Sequence, residues 1–350
     1  MYYADKTELL RDLFGAREVA AAADAVIVDG RRLAVIDDVI LAMEPAQYPD
    51  WLRTRLGGEP GPAPAAATGD FAPDIQSTFG AEWQEFPDIL PEHETEFRQY
   101  FDLVDLESLR GQRICDLGCG IGRWSHFLAP LAREIVLVDF SAAIFVARRN
   151  LRARANAVFV MADIKRLPFR AAFADFVLCL GVLHHLPTDA LDETRALARY
   201  APRLLIYLYS AFDGRPLHYR ILFPPVDALR RAVSRVHNPS FRAIFTWLAL
   251  WLLYMPLIGL GHALRPLGLA EKVPLYDFYS RKSLTRIRQD VYDRFFTAIE
   301  QRVNRAQILR LADRFESVRV SPGIPQWHFL CERPKPPPVL CERPKPPPGA

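Results

Sequence analysis

Residues 114–125, ICDLGCGIGRWS, set an acid and three glycines at alternating positions, Asp116, Gly118, Gly120 and Gly122, directly after a short apolar run. Glycine lets a backbone turn sharply and approach a ligand without Cβ collisions, so this segment is suited to cradling a ligand. The dinucleotide fingerprint GxGxxG needs a glycine where this chain has Arg123, and no Gly-Lys-Ser/Thr follows. Pyrophosphate and Walker-type phosphate binding are therefore disfavoured. An acid inside the loop repels phosphate but can accept from, or pair with, a ligand ammonium. The pattern favours a ligand that carries positive charge.

Three later segments point to the same place. The run IVLV ends in Asp139, about twenty residues past the loop, where a carboxylate can take both hydroxyls of a ribose. FVMADIKRLPF sets Asp163 at a strand end, suited to the exocyclic amine of adenine, with Ile164 against the ring face. DFVLCLGVLHHLP ends at Leu180-Gly181, with His184 and His185 just beyond. In a doubly wound sheet the ligand crevice lies at the carboxyl ends of the strands, so four consecutive strand ends converge there.

At these residues the sequence resembles a class I S-adenosylmethionine-dependent methyltransferase of the type 11 or ubiquinone-biosynthesis-like group. DLGCGIGRWS, VDFS, ADIKRLPF and LGVLHHLP match the family's motifs in order, closely over 112–210 and more loosely over 280–333. The resemblance implies an α/β, Rossmann-like, doubly wound seven-stranded sheet with an antiparallel last strand, and S-adenosyl-L-methionine as cofactor. It implies cofactor contacts at Asp116, Gly118, Gly120, Asp139, Asp163, Ile164 and Leu180, and the candidate set extends to Cys119, Gly122, Phe140, Ser141 and Gly181. The N-terminal hairpin and the later STFGAEWQEF resemble small zinc-ribbon-related units that precede some of these enzymes. The ribbon cysteines are missing here, so a structural cover is expected, with Phe79, Trp83 and Phe86 available to close over the cofactor. Ala201-Pro202-Arg203 stands where the family often has Pro-Gly-Gly, so that turn is expected to differ.

Methyl transfer from a sulfonium is an in-line displacement in which holding the nucleophile aligned supplies much of the acceleration. A base is needed only where the acceptor must lose a proton. The candidates for that role are His184, His185 and Tyr209, while Tyr276, Asp277 and Tyr279 are candidates to line the acceptor pocket. Each has a plainer reading as a residue that packs or holds a turn.

The elements that must position these residues follow from pattern. From residue 111, short apolar runs alternate with helical segments, the signature of βαβ units. Strands are expected near 112–116, 134–138, 157–161, 175–180 and 203–209, with a final hairpin at 316–321 and 326–332. Upstream, Asp29-Gly30 suits a tight hairpin turn. The chain divides into a small N-terminal α+β unit (1–56), a linker (57–75), a helical lead-in over the cofactor site (76–110) and a cofactor-binding core (111–210). A hydrophobic helical insertion (211–275), the closing part of the core (276–334) and a proline-rich tail (335–350), which repeats CERPKPPP, complete it.

Within the insertion, residues 243–264 hold no Asp, Glu, Lys or Arg over 22 residues, long enough to cross a bilayer. Strands on either side belong to one sheet, which argues against crossing, and Pro256, Gly259 and Gly261 are expected to interrupt a straight helix. A lid shaping an apolar acceptor pocket, an interfacial segment with Arg230, Arg231, Arg235 and Arg242 beside headgroups, and a plain packing helix all remain open. Residues 1–110 carry 9 basic and 22 acidic side chains, and 211–310 carry 16 and 7. That asymmetry suits nucleic acid, anionic lipid, an acidic substrate, or pairing of the two regions. The five cysteines show no metal spacing, so no metal site and a reducing compartment are expected. The N-terminus lacks a secretion pattern, so a cytoplasmic protein acting on a small lipophilic molecule is expected, with membrane association through 243–264 as an option. A nucleic-acid methyltransferase and a non-catalytic cofactor-binding scaffold are the alternatives.

Overall fold

The computed structural model describes residues 1–57, 71–211, 217–323 and 327–335. Most of the expected linker, and the tail beyond 335, lie outside those residues. In chain order the elements are α1 (Thr7–Phe14), β1 (Val19–Ala21), β2 (Ala25–Val28), β3 (Arg31–Ile36), β4 (Val39–Leu41), α2 (Asp50–Arg55), α3 (Pro73–Glu85) and α4 (Glu92–Tyr100). Next come β5 (Arg113–Leu117), α5 (Arg123–Leu128), β6 (Glu134–Asp139), α6 (Ala143–Asn150), β7 (Ala157–Met161), β8 (Phe176–Leu180), α7 (Ala190–Leu197), β9 (Arg203–Tyr207) and β10 (Tyr209–Ser210). The insertion contributes α8 (Leu217–Val233), α9 (Pro239–Ala249) and α10 (Met255–Leu264). The chain closes with α11 (Tyr276–Tyr279), α12 (Leu284–Phe296), β11 (Arg302–Val303), α13 (Arg305–Leu309), β12 (Phe315–Val320) and β13 (His328–Pro334).

The sheet runs β1-β2-β3-β4-β7-β6-β5-β8-β9-β13-β12. Strands β5 to β9 are mutually parallel, and β13 lies antiparallel to both β9 and β12. This is the expected doubly wound core, with the last strand of the chain, β13, running antiparallel between β9 and β12. Alternation within each strand feeds two cores: in β6, Val136 and Val138 face one layer and Ile135 and Leu137 the other, all fully buried. Burial on both faces is what turns the strand sequences into unbroken apolar runs.

The sheet has eleven strands where seven were expected. β4 pairs in parallel with β7, Val39 opposite Phe159 and Leu41 opposite Met161, so the N-terminal strands extend the sheet. Asp29 and Gly30 both take positive φ at the β2–β3 turn. Asp37 and Asp38 do the same at β3–β4, a second tight hairpin.

The insertion has its own core, in which Val233, Leu250, Tyr254 and Ile258 pack with Tyr279, Ile287, Val291 and Phe295. Pro256 does not interrupt the helix: Pro239 to Leu267 is continuous, with a π-helical turn at Leu250–Tyr254. A proline has no N–H for the ordinary helical bond, and one wider turn just before it accommodates the mismatch. Gly261 has a packing role, since a Cβ there would fall 2.0 Å from the Tyr276 ring. The opposed charge of the two regions is resolved internally in part, because Lys282 and Arg286 pair with Glu96, and Arg288 pairs with Glu85.

Candidate active site

The loop after β5 turns through Gly118, Gly120 and Gly122, all at positive φ. At Gly118 a Cβ would stand 2.4 Å from Val182 in the loop after β8, so only glycine lets those two strand ends close on one another. Gly122 is the N-cap of α5, which directs the helix toward the crevice. The strand ends and their loops border one cavity of about 300 Å³. Gly118, Cys119 and Gly120 line it from β5, Asp139 and Phe140 from β6, Asp163 and Ile164 from β7, and Leu180 and Gly181 from β8. Nine of the twelve expected cofactor residues therefore meet at one cavity; the others are Asp116, Gly122 and Ser141.

Asp139 sits at the β6 end, 7% exposed. Its Oδ1 accepts from the Ser141 amide at 2.8 Å and hydroxyl at 2.7 Å, and Oδ2 accepts from the Gly120 amide at 3.0 Å. A carboxylate has about four acceptor positions, so in this conformation one remains for a ligand hydroxyl, where two had been expected to be held. Burial raises the Asp139 pKa, opposed by these hydrogen bonds. Asp163 accepts from the Lys165 amide at 3.0 Å, and burial raises its pKa too.

Asp116 is placed differently from its expected role. Its carboxylate is 1% exposed, lies outside the cavity lining and accepts from the Ser125 hydroxyl at 2.7 Å, tying β5 to α5. Burial pushes its pKa up to about 7. A helix above the crevice supplies a carboxyl that sequence reasoning missed. Glu82 on α3 lines the cavity with Phe79 and Trp83, is 1% exposed, and its Oε2 has no hydrogen-bond partner among the described residues. Burial raises its pKa well above the usual range. Gln76 pins α3 over the site by donating to the carbonyls of Phe140 at 2.7 Å and Gln47 at 3.1 Å. Phe86, also expected at the cofactor, packs against Tyr292 in the insertion core.

Residues 114–202 match the family described as "Methyltransferase domain". That segment is similar to a methyltransferase domain. Over 124 residues the chain is 33% identical to the chloroplastic magnesium protoporphyrin IX methyltransferase of Arabidopsis thaliana, covering 30% of this chain and 38% of that protein. It is 32% identical over 124 residues to the demethylmenaquinone methyltransferase of Clavibacter sepedonicus, covering 35% and 46%. The chain thus spans less than half the length of either relative. A SAM-dependent methyltransferase structure from Aquifex aeolicus is 17% identical, with a TM-score of 0.31, covering 36% of this chain and 71% of that one.

Beyond the glycine loop, β8 and β9 lead into an aromatic cluster. His185 lines the cavity, and its Nδ1 lies 2.8 Å from the Ile299 carbonyl. A carbonyl only accepts, so Nδ1 carries the proton and Nε2 of the neutral ring is an acceptor. His184 lies outside the lining, fully buried against Tyr209 at 4.0 Å between centroids, and among the described residues neither ring nitrogen has a well-formed hydrogen bond, the Tyr207 backbone lying close by. Burial, and then the neighbouring His185 and Arg302, drive its pKa well down, so it is a neutral packing ring. The Tyr209 hydroxyl donates to Asp293 at 2.9 Å, and burial raises its pKa well above the ordinary value.

Of the two acceptor candidates, Tyr279 lines the cavity and donates to Asp290 at 2.9 Å. Tyr276 lies outside it, packed on Gly261 with its hydroxyl 3.2 Å from His262 Nδ1. Asp277 is in the lining. Sequence reasoning missed Tyr100, Arg123, Tyr207 and five residues of α12, which also line the cavity. Arg123 lies over Trp83 and Trp124, with its guanidinium carbon 5.4 and 4.5 Å from their rings.

Proposed function

We propose that this protein transfers a methyl group from S-adenosyl-L-methionine to a small lipophilic acceptor. The supporting observation is the convergence of four consecutive strand ends on one cavity, bringing a glycine cradle, Asp139 and the Asp163-Ile164 pair together. The residues suit that cofactor: Asp139 keeps an acceptor position for a ribose hydroxyl, Ile164 offers an apolar face for adenine, and Glu82 is a buried carboxyl whose Oε2 has no partner among the described residues. The cofactor supplies an electrophilic methyl on a sulfonium. The chain's part is to align the acceptor and, through His185 Nε2, to take a proton where the acceptor must lose one.

Two curated relatives are named for methylating a porphyrin and a demethylmenaquinone, which supports a small lipophilic acceptor here. The insertion adds to this. Ile244, Leu248, Trp251 and Leu252 lie along one helix face and are 61%, 52%, 52% and 73% exposed, while the opposite face packs in the insertion core. A helix apolar on both sides is partnered on both. In our reading the outer face docks peripherally on a membrane from the cytoplasm. Pro239–Leu267 is long and apolar enough to cross, but the chain on both sides returns to one sheet, so we place the helix along the surface. The arginines expected at headgroups are otherwise engaged: Arg230 and Arg231 pair with Asp227, and Arg242 donates to Val236 and Tyr292, leaving Arg235 exposed. Docking is therefore mainly apolar.

The test is cofactor-dependent thermal stabilisation. S-adenosylhomocysteine at a hundred times its Kd should add about 2.7 kcal/mol to stability. Asp139→Ala, losing a hydrogen bond to a charged group worth about 1.5–3 kcal/mol, should weaken binding by roughly 10- to 100-fold. A wild-type melting temperature that ignores saturating S-adenosylhomocysteine overturns the reading.

A further inference from the structure

α12 turns its polar stripe toward the cavity. Arg286, Gln289, Asp290, Asp293 and Arg294, spaced i, i+3, i+4, i+7 and i+8, all line it. Three are committed within the chain: Arg286 to Glu96 and Asp290, Asp290 also to Tyr279, and Asp293 to Tyr209. Two are not. Gln289 is 3% exposed and its amide makes no hydrogen bond among the described residues. Arg294 is open to solvent and makes neither a hydrogen bond nor an ion pair among them; the Tyr279 ring lies 5.9 Å from its guanidinium carbon, and Tyr254, Tyr209 and Asp290 are near enough to act on its charge.

A guanidinium presents a rigid fork of donors that matches a carboxylate or phosphate in two parallel bonds. Its position decides which ligand would use it. Arg123, beginning the helix that follows the glycine loop, is the cation on the cofactor side. α12 instead meets Tyr209, which follows β9, two strands over from β5. The nearby negative charge of Asp290 is already balanced by Arg286.

We propose that the methyl acceptor is an anion, an apolar molecule bearing a carboxylate or phosphate, and that Arg294 clamps the anionic group with Gln289 beside it. This rests on the methyltransferase reading of the cavity. The cofactor's own carboxylate has the same chemistry, so the test must separate the two.

Titration calorimetry with 2-naphthoate, 2-naphthyl phosphate and neutral methyl 2-naphthoate is run with and without saturating S-adenosylhomocysteine. Wild type should bind at least one anion ten or more times more tightly than the ester. Arg294→Gln should erase that preference and leave S-adenosylhomocysteine affinity within twofold, while Arg294→Lys retains part of the preference. A wild type without preference, or a preference that survives Arg294→Gln, overturns the proposal. So does a tenfold loss of S-adenosylhomocysteine affinity in Arg294→Gln, which would assign the arginine to the cofactor. A protein that ignores S-adenosylhomocysteine yet keeps an Arg294-dependent preference overturns the methyltransferase reading and sustains the anion site.

Discussion

Adjacent histidines in LHHLP have opposite roles because one ring reaches a carbonyl and its neighbour does not. His185→Gln should lower transfer of labelled methyl groups into a lipid extract by about 10²- to 10⁴-fold if the acceptor needs a base, with S-adenosylhomocysteine affinity unchanged. His184→Phe should be neutral or stabilise by up to about 1 kcal/mol, since neither buried nitrogen has a well-formed partner among the described residues; a large loss of stability in denaturant titration would show that the Tyr207 backbone holds the ring by a hydrogen bond. Asp116 gives a pH signature. Its folded-state pKa of about 7 exceeds the unfolded value, so the native state holds the proton more tightly and stability falls as pH rises from about 4 to 7. Three units amount to roughly 4 kcal/mol. The stability of Asp116→Asn relative to wild type should rise over that interval, and a flat difference would mean the carboxyl is not desolvated. Nothing in DLGCG marks Asp116 as hidden: its partner Ser125 is nine residues away and reaches it only because α5 folds back over β5.

At the level of elements, α12 is where the sequence was least legible. Charged residues at helical spacing ordinarily mark a solvated face, and RKSLTRIRQDVYDR reads that way until Glu96, Tyr209 and Tyr279 are seen to face it. Glu96 and Tyr209 come from α4 and β10, too distant in sequence for any local pattern to reveal, while Tyr279 on α11 is eleven residues from Asp290. The parallel strands were legible for the opposite reason, because burial on both faces leaves an unbroken apolar run in each. Arg286 beside Glu96 holds the Glu96 pKa down to about 2: burial acts to raise it, and the Arg286 and Lys282 charges outweigh burial. Arg286→Met should therefore cost about 3 kcal/mol by leaving a buried carboxylate short of charge. A milder lesion is Gly261→Ala, whose methyl collides with the Tyr276 ring; about 1–3 kcal/mol lost, with S-adenosylhomocysteine binding retained, would identify Tyr276 as a brace.

Across the whole molecule, the insertion joins the catalytic core to its outer apolar face through shared packing with α11 and α12. Because three of the four arginines expected at headgroups, Arg230, Arg231 and Arg242, are committed internally, flotation with phosphatidylcholine vesicles should recover the protein nearly as well as vesicles containing phosphatidylglycerol. Trp251→Ser with Leu252→Ser should abolish recovery from both; a wild type that floats with neither would leave the apolar face to a protein partner. The N-terminal extension of the sheet was invisible to sequence reading, since β4 meets β7 across more than a hundred residues and parallel pairing leaves no turn to mark it.

The position of β13, inserted between β9 and β12, also sets an order of events during synthesis. A growing chain exposes the bare side of β9 until the entire insertion has been translated, because the strand that covers it comes later. Throughout that interval the tryptophan- and leucine-rich helix is already outside the ribosome and has no finished fold to rest on. Newly made protein should therefore depend on a holding chaperone, or on early capture by lipid, far more than the mature fold does.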